Sequence, residues 1–319
     1  MSEVIPGVHR LVAPLGDRYV CLFLIVGTDS AAVIDTGVAG SPAAVLAPAL
    51  AALEVDVSHI VVTHSDVDHS GGLAAARALP PQALAASHAL DRPLVDSVDR
   101  MIDERYRELR HAHEIDPEAE FCHWVRANDD GGAVNAVIAP PTHIDLGDRR
   151  LAVLHTPGHT RGHLTVVDEA TRTAIIADAV MAGAVPDASG EPAFAPTYRH
   201  VADYRASCQT LRRLAPARLL CSHFAVVEGS AEVAAFLDET ESFTVRLEHE
   251  ILRALAAASR PMRAIDVIAA IAPRTRTWDA SMDWTLAQPV VGHLEDIVAR
   301  GLARVLPGRP TTFATVRLQ

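Results

Sequence analysis

The sequence predicts an α/β fold, β-sheet covered by helices, and three observations carry that expectation. Short β-rich apolar runs alternate with Ala-rich helical stretches along the first 80 residues. Residues able to bind a metal recur directly after such runs, where active sites of layered folds sit. The chain of 319 residues is 49% hydrophobic, which supports a sizeable core in one large domain or a large domain with a small one.

Residues 8–12, 19–26 and 31–34 read as strands separated by Gly-Asp and Gly-Thr-Asp turns, an antiparallel meander that ends in the turn Asp35-Thr36-Gly37. A helix over residues 42–53 follows, with Pro42 in its first turn. Ile60-Val61-Val62 then reads as a buried strand leading into Thr63-His64-Ser65-Asp66-Val67-Asp68-His69-Ser70-Gly71-Gly72. Alternate residues of an extended chain share a side, so His64, Asp66 and Asp68 can converge, and the start of a helix can turn His69 towards them. Gly71 and Gly72 allow close backbone approach, and residues 73–79 read as that helix.

Residues 88–145 differ in kind. Val98, Met101, Ile102, Tyr106 and Leu109 fall at helical spacing within an amphipathic helix over 97–115, followed by a short helix carrying Phe121, Trp124 and Val125 and the loop Asn128-Asp129-Asp130-Gly131-Gly132. Helices inserted between ligand-bearing strands either cap a site or cover an exposed sheet face. Arg105, Tyr106, Arg107, His111 and His113 lie on this segment, facing a substrate in the first case and water in the second.

Strands return over residues 150–154, 165–167 and 173–176. The first runs into His155-Thr156-Pro157-Gly158-His159-Thr160-Arg161-Gly162-His163, where Pro-Gly sets a tight turn that presents His159. Asp178 follows Ala174–Ala177, and His223 follows the apolar run Leu219-Leu220-Cys221. All of these ionisable residues therefore stand at or just past a strand end, which points to one shared site.

All 28 basic residues are arginine and the formal net charge is −12, which argues against a general attraction to nucleic acid or anionic membrane. Cys21, Cys122, Cys208 and Cys221 are far apart without C-x-x-C spacing, so free buried thiols in a reducing compartment are expected. The N-terminus has no basic segment followed by an apolar stretch, and no apolar run reaches about 18 residues. A soluble, cytoplasmic protein is the expectation.

The run His64-x-Asp66-x-Asp68-His69, His159 in His-Thr-Pro-Gly-His, Asp178 and His223, in this order and with the Asp35-Thr36-Gly37 turn, resembles the metallo-β-lactamase superfamily over about residues 4–230. That resemblance implies a four-layer αββα sandwich with a binuclear metal site between the two sheet edges. By position, His64, Asp66 and His159 would hold one ion, Asp68, His69 and His223 the other, and Asp178 would bridge them. The usual family run is H-x-H-x-D-H, so Asp66 stands where a second His belongs. Imidazole suits zinc, whereas a carboxylate also suits iron or manganese. Two zinc ions are the first expectation, iron or manganese the alternative, and a solvent-facing Asp66 with a single filled site the third.

Two metals about 3.5 to 4 Å apart can share a water, lower its pKa towards about 7 and supply hydroxide at neutral pH. Asp68 has a second, catalytic part here, orienting that nucleophile or taking its proton. No Gly-x-Ser-x-Gly is present. His155 and His163 read as supporting rather than ligating residues, since seven candidates already fill two sites. Tyr198, Arg199 and His200 lie in a Pro-bounded loop after Asp178, either at the rim of the pocket, able to contact an anionic substrate, or on an ordinary surface loop.

From residue 241 the pattern changes to helices over 243–258, 262–271 and 286–300 and strands over 303–306 and 312–317 about Pro307-Gly308-Arg309-Pro310. This resembles the winged helix at the C-terminus of a superfamily branch that includes glyoxalase-II-like hydrolases and some RNA-cutting enzymes. The expected division is a catalytic domain over 1–240, with a helical insertion over about 88–145, and a winged-helix-like domain over 241–319. The latter carries +2 against −14 for the rest, poor for gripping phosphates. Walling the pocket or forming a homodimer is its expected role, with no nucleic-acid or membrane partner. The expected activity is metal-dependent hydrolysis of a small ester, thioester or lactone. A phosphodiesterase or nuclease, and an iron redox enzyme of persulfide-oxidising or flavodiiron type, are the alternatives. No motif names the substrate.

Overall fold

Strand β3 (Arg18–Val26) is buried on both faces, and that requires cover on both sides. In the computed structural model, which describes residues 1–316, Cys21, Phe23 and Ile25 of this strand point into one apolar cluster and Val20, Leu22 and Leu24 into another. The first cluster fills the space between two sheets, and the second lies beneath helices. Alternation along one strand thus builds a layered sandwich.

The first sheet has the order β1-β2-β3-β4-β5-β6-β7. It comprises β1 (Ser2–Ile5), β2 (Val8–Leu15), β3, β4 (Ala31–Ile34), β5 (Val57–Val61), β6 (Leu84–His88) and β7 (Ala136–Ile138). The meander is antiparallel as expected, and β4 to β7 run parallel. The second sheet is built from β8 (Thr142–Asp145), β9 (Arg150–His155), β10 (Leu164–Asp168), β11 (Thr173–Ala177), β14 (Arg218–Cys221) and β15 (Val227–Glu228). Its order is β15-β14-β11-β10-β9-β8, and β12 (Val185–Pro186) with β13 (Pro192–Phe194) forms a separate hairpin.

Helices cover the outer faces. On the first sheet lie α1, Pro42–Leu46 in a wide π-type turn continuing as Ala47–Leu53, and α3 (Leu73–Ala78), while α2 (Val67–Ser70) sits at the sandwich edge with Val67 packed on Met101, Ile102 and Val125 of the insertion. Pro48 lacks the N–H that an α-helix would donate to Ala44, and the turn before it opens instead. On the second sheet, Val167, Ile176 and Leu219 pack with Tyr204, Cys208 and Leu211 of α8 (Val201–Leu214) and Val233 and Leu237 of α9 (Ser230–Ala257).

Between β6 and β7 the chain forms α4 (Arg92–Val95), α5 (Val98–Arg100, continuing in a π-type turn over Met101–Tyr106), α6 (Arg110–His113) and α7 (Ala119–Ala127). The insertion is shorter than expected, because β7 and β8 occupy its last part as strands of only 3 and 4 residues. The single helix expected over 97–115 breaks after Tyr106. The wide turn puts two consecutive residues, Arg105 and Tyr106, against the loop after β5.

C-terminally, α9 is followed by β16 (Met262–Arg263), α10 (Ala264–Thr275), a 3₁₀ segment Ala280–Leu286, α11 (Ala287–Ala299), β17 (Ala303–Leu306) and β18 (Thr312–Thr315). The strands form a sheet of order β16-β18-β17, so three helices and a small sheet stand where a winged helix is expected. Residue 262 opens a strand rather than the helix foreseen there, and the end of the last expected strand, Arg317, lies outside the described residues. The division foreseen at residue 240 falls inside α9, which has 28 residues. No helix among the described residues is long and apolar enough to cross a membrane, and all four cysteines are buried and free.

Candidate metal centre

The loops after β5, β9, β11 and β14 meet at one edge of the sandwich. Two backbone bonds tie the sheets there: Leu164 N–H donates to the Thr63 carbonyl at 2.8 Å and Cys21 N–H to the Ser222 carbonyl at 2.9 Å. Two groups of ligating atoms result, His64 with His159 and Asp178, and Asp68 with His69 and His223, each spanning no more than 4.8 Å. Asp178 lies between them, its Oδ2 3.4 Å from His69 Nε2, 3.3 Å from His223 Nε2 and 4.0 Å from His64 Nε2. Asp68 Oδ2 is 3.4 Å from His223 Nε2 and 3.8 Å from His69 Nε2. A tetrahedral ion bonded at about 2.1 Å separates its ligands by about 3.4 Å, so the second group has the spacing of a metal site.

The outward nitrogens of the four imidazoles are all engaged. His223 Nδ1 donates to the Tyr19 carbonyl at 2.9 Å, and His159 Nδ1 donates to the Thr197 carbonyl. His69 Nδ1 bonds Asp35 Oδ2 at 2.8 Å. The Thr63 hydroxyl gives its one proton to Asp35 Oδ2, so it accepts from His64 Nδ1 at 3.0 Å. Every Nε2 is thereby left to face the centre. Among buried side-chain atoms without a partner are His64 Nε2, His69 Nε2 and Asp178 Oδ1, three donors of the kind a divalent ion takes. The residues present therefore fit a metal centre.

Asp35 and Ala177 adopt left-handed backbone at φ 63° and 43°, a conformation that costs an L residue roughly 1–2 kcal/mol. Each sits where it aims the centre: Asp35 bonds His69 and Thr63, and Ala177 turns the chain into Asp178. Gly158 has φ 140°, and a Cβ there would lie 2.4 Å from Tyr204 Cα in α8. Its carbonyl accepts from Arg199 N–H and His200 N–H, both at 2.9 Å, which joins the His159 turn to the following loop.

Burial, with His69 and His159 alongside, pushes His64 well below the usual imidazole range and keeps it in the neutral, ligating form. Burial opposes the charge on Asp178, but His223 and His69 outweigh it and hold the carboxyl well below its usual range.

Asp66 is engaged differently. Arg105 Nε donates to Asp66 Oδ1 at 2.9 Å and Nη2 to Oδ2 at 3.1 Å, a two-pronged pair, while His159 Nε2 lies 3.0 Å from Oδ2. The third prong, Nη1, donates to Gln288 Oε1 at 2.7 Å from α11. Burial opposes ionisation of Asp66 too, but Arg105 and His159 hold it well below the usual carboxylate range. The Tyr106 hydroxyl accepts from Val67 N–H at 3.0 Å in the same loop. The insertion thus closes over the centre.

A small cleft of about 70 Å³ opens beside His159, lined among others by Leu90, Leu94, Arg105, Arg161, Arg199 and His200. Arg199 lines it while paired with Glu108 at 3.0 Å and Glu295 at 2.6 Å. His200 is pushed down to about 4 by burial and by Arg199, Arg161 and Arg105. Tyr198 does not reach the cleft: it is buried against Tyr204, with its hydroxyl 2.9 Å from His293 Nε2 of α11. His155 Nε2 donates to the Arg161 carbonyl at 2.8 Å and stacks on His88, and His163 is bonded to Thr156 and to the Asp178 amide, so both support the centre from outside it. Of the other insertion residues, Arg107 pairs with Asp116, His113 is buried beside Phe313, and His111 is exposed. Asp35, Thr63 and Arg161 escaped the sequence reading as site residues. The Asp-Thr-Gly turn contained the signal for the first, and Arg161 stands two residues past His159 in the run His155–His163.

The family model described as Metallo-beta-lactamase superfamily matches residues 15–223. An acyl-coenzyme A thioesterase, MBLAC2, of Gallus gallus is 39% identical over 71 residues, 22% of this chain and only 23% of that protein's length. A hydroxyacylglutathione hydrolase of Acidiphilium cryptum (strain JF-5) is 30% identical over 175 residues, 51% of this chain and 68% of that protein. Among solved structures, a metallo-beta-lactamase family protein from Thermus thermophilus has a TM-score of 0.73 at 20% identity, covering 98% of this chain and 100% of that one. A beta-lactamase domain protein from Burkholderia ambifaria has a TM-score of 0.75 at 17% identity, covering 99% and 94%. These two likenesses concern the fold.

Proposed function

Because the chain belongs to the metallo-β-lactamase superfamily, we propose that it is a metal-dependent hydrolase of a small thioester. The observation that carries this reading is the pair of ligand groups joined by Asp178, with every outward imidazole nitrogen tied and the inward nitrogens of His64 and His69 without a partner. Thioesters are favoured over esters and lactones because two relatives, one a short match, are named for thioester hydrolysis. Zinc is the proposed metal, since four imidazoles and two carboxylates form a borderline donor set that suits it.

Divalent ions in the centre would polarise the acyl oxygen and lower the pKa of a water. The chain's own residues do the rest. Asp68, with its side chain 18% exposed at the edge of the centre, takes the proton of the attacking water. Water adds through its oxygen to the carbonyl carbon, the C–S bond breaks, Asp68 returns the proton to the departing sulfur, and the acid and thiol leave. Arg161 holds an anionic part of the substrate: it lines the cleft, its carbonyl is fixed by His155, and among the described residues it carries no ion pair. Iron-based redox chemistry draws its support from Asp66 as a hard oxygen ligand, and Arg105 takes both of those oxygens.

Turnover of thioesters, esters and lactones by the as-purified protein, with its metal content measured in parallel, tests this reading. Thioester hydrolysis lost on chelation and restored by zinc is the expected outcome. Inactivity towards the whole panel with the metals in place would refute it. For a thioester bearing a carboxylate, Arg161→Ala should raise KM about tenfold, as loss of one charge-assisted contact worth about 1.4 kcal/mol would do, with kcat within about twofold.

A further inference from the structure

We infer that Arg105 is a fixed cation in the first half of the centre and that Asp66 serves as its anchor, so the second half binds metal first and most tightly. This rests on the metal-centre reading above and specifies how the two halves fill. Both oxygens of Asp66 are committed to Arg105, and the remaining prong is committed to Gln288. Arg105 is only 6% exposed. A buried guanidinium is tolerated when paired, and drawing Asp66 away to a metal would strip that pairing.

The charge also stands close to the ligands. Arg105 Nη2 approaches His159 Nε2 to 3.5 Å, so an ion taken by His159 would share its surroundings with a permanent positive charge. The two halves are unequal in supply as well. Asp68, His69 and His223 form one group without help, whereas the other group is His64 and His159 plus Asp178, which already lies within 3.4 Å of both His69 and His223. The wide turn over Met101–Tyr106 and the contact from α11 hold the guanidinium in this position. In this chain, then, the residue that replaces the family's second histidine recruits an arginine.

Titration of metal-free protein with Co²⁺, followed by its visible absorption, and metal content after desalting test the inference. Wild type should keep one ion per chain after desalting, with the second half-saturating at about 100-fold higher free metal or more. Arg105→Gln should tighten the second ion at least tenfold, and Arg105→Lys, which keeps the charge, should leave it weak. Arg105→Gln/Asp66→Asn removes the pair as a neutral unit and guards against misfolding caused by a lone buried charge; it should keep the gain. Two ions bound equally tightly by wild type would overturn the inference while leaving the metal-centre reading intact. Loss of the second ion in the double variant would mark Asp66 as a ligand and overturn it too. Wild type that retains no ion overturns both.

Discussion

Asp35 shows how much of a metal site lies behind its ligands. One carboxylate accepts the Thr63 amide at 2.7 Å, the Thr63 hydroxyl at 2.8 Å and His69 Nδ1 at 2.8 Å, and through Thr63 it also fixes His64. Asp35→Asn preserves the shape but replaces one acceptor oxygen with a donor. Metal affinity should fall 10- to 100-fold, as when such supporting bonds are removed elsewhere, with far-ultraviolet circular dichroism unchanged; competition with a chromophoric chelator would measure it. An unaltered affinity would mean that the imidazoles are held by packing alone. The His and Asp side chains that the structure gathers were visible in the sequence because His64, Asp68 and His69 share one short run and His159, Asp178 and His223 each follow an apolar strand run. Arg105 was legible only as one of several polar residues on a helix, since its partner Asp66 lies 39 positions away and only the folded insertion joins them.

At the scale of elements, the central strands were read well because they are apolar runs, β4, β10 and β11 being buried throughout, and the helices less well where their geometry departs from the regular period. The single helix expected over 97–115 is interrupted by a turn that widens at Met101–Tyr106, and apolar spacing alone does not distinguish a wide turn from a regular one. The strands β1, β7, β8, β12, β13, β15 and β16 were missed because runs of 2 to 4 residues show too little pattern, and β6 because its sequence, LAASH, has little strand propensity. The His159 turn is the most constrained of the connecting elements. Gly158→Ala would force a side chain into the backbone of α8 at a left-handed position, and a loss of at least about 2 kcal/mol in urea unfolding is expected. Tyr106→Phe leaves the Val67 amide without its acceptor and should cost about 1–3 kcal/mol. It should also loosen the loop that carries Asp66 and Asp68, visible as faster amide exchange across residues 66–69.

Across the whole molecule, the C-terminal helices are joined to the sandwich through buried polar contacts that no sequence motif announces. His293 of α11 is fully buried beside the Tyr198 hydroxyl, and burial, followed by Arg205, pushes it down to about 3. An unfolded histidine protonates near 6.5 whereas the folded one stays neutral, so stability is complete above about pH 6.5 and lost as pH falls towards 3, by up to about 1.4 kcal/mol per unit. His293→Gln should flatten that slope, as read from urea midpoints between pH 4 and 7. A slope identical to wild type would assign the acid sensitivity to other groups. The same join has a mechanical side. Because α9 runs as one rod of 28 residues, about 42 Å long, from the face of the second sheet into the C-terminal helices, neither half has a hinge at which to part. The chain should therefore melt in a single cooperative transition, and limited proteolysis should release no folded fragment ending near residue 240. On that outcome, what reads in sequence as an appended module would unfold together with the sandwich that it adjoins.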